Sequence, residues 1–251
     1  MNTDIETKLT GIILKEGAHD SISDGMCAME AVAWLAGEPH SDAPACACPV
    51  VAKFVTRLND RISDDVTRTE LLRPILPKII GTRAGREAMI KRGFIAADYA
   101  VRVFSPMALE ARGGMDAAKA LRAARIIVDP ETALEGAAVA YAVANAAYAA
   151  ASSAAYAAYA AANYAASATG TTYAAYAANA ANAAASSAAY AAYAADAASA
   201  YAAYAANVAY AAANYAASAA NAACAAASKA VEGEVYNESV RMIEAMIAVT
   251  E

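Results

Sequence analysis

Residues 190–221 read YAAYAADAASAYAAYAANVAYAAANYAASAAN, and this stretch decides the fold. Tyr193, Tyr204 and Tyr215 recur at intervals of eleven, as do Tyr190 and Tyr201. The series Asp196, Asn207, Ser218 and the series Ser199, Tyr210, Asn221 keep the same interval. Eleven residues fill three turns at about 3.67 residues per turn, close to the ~3.6 of a straight α-helix, so each series holds one face with little drift. Nearly every position between them is alanine, which has the best intrinsic helix propensity and no side-chain entropy to lose. The pattern predicts a helix with one methyl-lined face and one face of tyrosine, asparagine and serine.

The same composition extends outward. Between Ala137 and Ser228, 55 of 92 residues are alanine and Asp196 is the single charged side chain. A surface so poor in charge must be largely covered, by the chain itself or by another chain. A membrane span would need about 20 predominantly apolar residues. Here every such window carries several amides or hydroxyls, among them Asn207, Asn214, Ser218 and Asn221, which are costly to bury unpartnered. Water-facing helices are expected, with no membrane span. A buried methyl contributes only ~0.8 kcal/mol, whereas a buried tyrosine ring contributes ~1.5–3 kcal/mol. Alanine faces therefore serve mainly to let helices approach closely, with the rings expected as the stronger adhesive.

Composition divides the chain into a mixed region at 1–128, the alanine/tyrosine array at 129–229 and a mixed tail at 230–251. Asp129-Pro130 predicts the start of the array, a capping side chain followed by proline at the first helical position. Gly170, within Thr169–Thr172, predicts its turn, and residues 182–187 a second shift of phase. The tail predicts an amphipathic helix with Val235, Met242, Ile243, Met246 and Ile247 on one side.

In the first region, Asp24 is expected to cap a helix from Met26 to Ala36, closed by Gly37. Pro49 opens a second helix through Leu58, with Asn59-Asp60 at its end. Pro74 and Pro77 interrupt LLRPILPKII. A helix from about Arg83 to Phe104 is expected to stop at Ser105-Pro106, and Gly113-Gly114 to divide two short helices. No β-branched run of period two appears, so the whole chain is expected to be all-α: a compact N-terminal helical region, an Ala/Tyr hairpin or bundle, and a closing helix.

The N-terminus, MNTDIETKLTGIILKEG, lacks a basic segment followed by a long apolar run, and the four cysteines are unevenly spaced. No secretory signal and no disulfide framework are expected, which points to a reduced, cytoplasmic protein. Net charge is −6, and acids interleave with the basic residues around Arg83, Arg86, Lys91, Arg92, Arg112, Lys119, Arg122 and Arg125. That arrangement predicts a solvated helical face and no nucleic-acid partner.

Cys27, His40, Cys46 and Cys48 have the ligand chemistry for zinc, but CAC is not the usual two-residue clamp, and Cys27 lies in an apolar helix. A polar loop around GEPHSD and a core cysteine are the favoured roles, leaving no cofactor and no metal expected. His19 and His40 are the only imidazoles, with Ser21, Ser23 and Ser41 nearby but no strand–elbow–helix context. A Cys27–His40 thiolate pair would lack oxyanion donors. No catalytic residue is assigned.

Residues 26–60, MCAMEAVAWLAGEPHSDAPACACPVVAKFVTRLND, resemble the opening segment of a group of bacterial and phage proteins. The array is similar to that of helical immunity proteins of toxin systems, a resemblance that implies an all-α binding protein and carries over no functional residue. The eleven-residue alanine repeat also resembles helical fish-type antifreeze proteins. Those place threonine at the repeating position, whereas here Thr169, Thr171 and Thr172 are confined to the turn. The expected function is non-catalytic binding of a protein partner, or self-association, through a ridge of Tyr190, Tyr193, Tyr201, Tyr204 and Tyr215. Ice binding and a zinc- or thiol-dependent N-terminal enzyme are the alternatives.

Overall fold

The computed structural model describes residues 3–146, 216–221, 223, 225 and 229–250. These are all-α: no strand occurs among the described residues, only an isolated parallel bridge between Leu14 and Met26. No helix among them is long and apolar enough to cross a membrane. The helices are α1 (Thr3–Thr10), α2 (Ala28–Ala36), α3 (Pro49–Arg61) and α4 (Asp65–Leu72). A 3₁₀ turn (Arg73–Ile75) joins α4 to α5 (Leu76–Ile79), and α6 (Arg86–Tyr99) follows. A π-helical turn (Ala100–Phe104) connects α6 to α7 (Ser105–Glu110), then come α8 (Met115–Arg122), α9 over 130–146, a helical segment at 216–221 and α10 (Lys229–Ile247).

Local chemistry explains most boundaries and corrects three expectations. The cap of α2 is Cys27, not Asp24. Its Sγ accepts from Glu30 N at 3.5 Å, while the Glu30 carboxylate accepts from Cys27 N at 2.7 Å, a reciprocal capping box. Gly25, at φ +130°, and the bridge at Met26 hold the preceding backbone out of helical geometry, and Asp24 accepts from Ser21 Oγ instead. Gly37 closes α2 in the left-handed conformation, as expected.

Asn59 does not terminate α3. It lies buried inside the helix, where its Oδ1 accepts from Ala28 N at 3.1 Å and its Nδ2 donates to Lys15 O at 2.9 Å. Nor does Ser105-Pro106 end the helix that begins at Arg86. Pro106 has no N–H to give to the carbonyl of Arg102, and its ring crowds that oxygen. The ladder widens by one residue instead, with Ser105 N bonding to Ala100 O, and helical structure continues into α7.

One buried cluster takes residues from all three compositional regions. Phe54 stacks on Phe104 with ring centroids 6.3 Å apart. Ala133, Ala140 and Ala144 of α9, and Ala216, Ala217, Ala219, Ala220 and Ala223, are buried in the same cluster. The helix expected in the tail forms as α10, which buries Val235, Met242, Ile243 and Met246 and lies against α3, α4 and α6. The array's expected start also forms: Asp129 Oδ1 accepts from Thr132 N at 2.8 Å, and Thr132 Oγ1 accepts from Val128 N at 3.0 Å. Both described ends of the array thus return to one core.

Two fully buried arginines lock this arrangement. Arg68 donates to Asn59 O at 2.8 Å, to Ile62 O and to Leu14 O at 3.3 Å, capping the C-terminal end of α3. Arg92 donates to Thr82 O at 2.7 Å, Met246 O at 2.9 Å and Val249 O at 2.9 Å, which does the same for α10. A guanidinium at a helix C-terminus meets both orphan carbonyls and the negative end of the helix dipole.

Candidate functional site

Tyr190, Tyr193, Tyr201, Tyr204 and Tyr215 lie outside the described residues, as do the expected turn around Gly170 and the shift at 182–187. The start of the array is described, and α9 divides into two faces. Thr132, Ala133, Gly136, Ala137, Ala140, Val143 and Ala144 face the body, in steps of three and four. Leu134, 49% exposed, and Tyr141, 54% exposed, stand on the other side. In this stretch small residues make the contact with the body, and the phenol ring projects outward.

The cysteines and histidines do not assemble as a zinc site. Cys27 is committed to capping α2, and burial pushes its thiol up to about 12. Cys48 is buried as the residue before Pro49, with its N–H donated to Thr82 Oγ1 at 2.9 Å. The Cys46 thiol is also raised, by burial and then by the Glu38 carboxylate. Among the described residues, no group of three or more His, Cys, Asp or Glu side chains is placed to hold a metal. A Cys27–His40 thiolate pair is not formed either, because the neighbour of Cys27 is a carboxylate.

Both histidines converge instead on Glu30, whose side chain is 2% exposed. His19 donates from Nδ1 to Glu30 Oε2 at 2.9 Å and from its backbone N to Oε1 at 2.7 Å. His40 Nε2 lies 3.8 Å from Glu30 Oε1 and 2.9 Å from the His19 carbonyl. A carbonyl only accepts, so Nε2 carries the proton, and the buried Nδ1 of His40 has no partner among the described residues. Burial would raise the Glu30 carboxyl, but the N–H groups of His19 and Cys27 and the His19 ring outweigh it and hold the group below its usual range. The cluster fastens the 15–26 loop to α2 and presents no activated nucleophile. Sequence reasoning missed it, although the C-x-x-E spacing of a capping box was there to be read.

Several basic residues are ion-paired: Lys91 with Glu87 at 2.9 Å, Arg122 with Glu110 at 2.6 Å and Arg125 with Glu135 at 2.9 Å. These pairs place acids beside bases on the helical faces of the described residues.

A cleft of about 900 Å³ opens where the π-helical turn, α7 and α8 face α10. Val103, Met107, Met115 and Val231 supply apolar wall. Charged pairs line the rest, Arg122 with Glu110 and Arg241 with Glu238. Arg102 sits on the π-helical turn, 3.2 Å from Asp98. No sequence signal pointed here, because the cleft is made by helices far apart in the chain.

No protein-family model matches the chain, and no curated protein or solved structure shows significant similarity to it.

Proposed function

We propose that the protein is a non-catalytic helical binding protein, in which a compact body carries the alanine/tyrosine array and the array captures a protein partner. The observation that supports this most directly is the division of α9, with small residues packed on the body and Leu134 and Tyr141 turned outward. The same division of alanine from tyrosine, taken in the repeat's own phase over 190–221, would leave Tyr190, Tyr193, Tyr201, Tyr204 and Tyr215 as a ridge. Tyrosine suits such a role because its ring offers a large contact area at low entropic cost. The partner is one whose activity is neutralised by capture. The site of action is a reducing compartment such as the cytoplasm, in keeping with free thiols at Cys27, Cys46 and Cys48.

The test is the double replacement Tyr193→Ser and Tyr204→Ser in the full chain. Association, read by affinity capture and by light scattering for self-association, should be lost while helicity by circular dichroism is retained. Loss of helicity would make these rings part of the core and end the proposal.

A further inference from the structure

We draw no further inference here: the strongest candidate, the cleft where the π-helical turn, α7 and α8 face α10, is lined by three arginines against three glutamates, so nothing in the structure shows which class of ligand would occupy it.

Discussion

The guanidinium of Arg92 crosses 154 residues of sequence to donate its Nε–H to the main-chain oxygen of Met246, 2.9 Å away. No carboxylate shares the bonds recorded for this buried charge; three carbonyls at helix and loop ends take its protons. Replacing Arg92 by Met should therefore cost about 3 kcal/mol, chiefly from buried carbonyls left unpaired. Arg92→Lys should recover little, because an ammonium cannot span a planar fork of acceptors. Urea unfolding checks this, and a loss below about 1 kcal/mol would mean the carbonyls find other donors.

The Glu30 carboxyl is held below its ordinary value, so its contribution to stability has a definite pH window. The contribution is complete above the unfolded value of about 4.3 and is lost as pH falls from there through the lower folded value. Melting temperatures of the wild type and Glu30→Gln should lie well apart at neutral pH and draw together in acid. A gap that stays constant with pH would show that the ionised form contributes nothing.

With its thiol raised to about 12 and its sulfur turned to the first turn of α2, Cys27 should resist iodoacetamide at pH 8 while the protein is folded. Peptide mapping by mass spectrometry should find it alkylated only in denaturant. Rapid labelling of the native protein would place the first turn of α2 in an open state.

Ala144 and Ala138 lie on opposite faces of α9, the first fully buried and the second exposed. Ala144→Leu should destabilise the fold by about 1–3 kcal/mol through overpacking. Ala138→Leu should change it by no more than about 0.5 kcal/mol. Thermal or urea unfolding of the pair measures whether methyl contacts fix the spacing of α9.

What could be read from residues alone followed the range of the forces involved. Local signals were legible: Gly37 at a left-handed position, Asp129 as the cap at the start of α9, and the buried stripe of α10 from Val235 to Met246. Where tertiary partners override local chemistry, the reading failed. Asn59 looks like a helix terminator until Ala28 and Lys15 supply partners for its amide. Pro106 reads as a stop because a sequence does not reveal that the ladder can widen by one residue. The Glu30 cluster was half legible through its spacing from Cys27, but the approach of both histidines depends on how the 15–26 and 37–48 loops fold over α2.

Since α10 completes the core that α3, α4 and α6 begin, translation order runs against assembly order. At about 5–20 residues per second, a ribosome needs roughly 5–20 s to make the hundred residues between Asp129 and α10. Throughout that interval the nascent body waits with the seat for Met242, Ile243 and Met246 unfilled, beside a newly emerged run of methyl groups. The early helices thus leave the ribosome well before the segment that covers them, a delay set by topology and not by final stability.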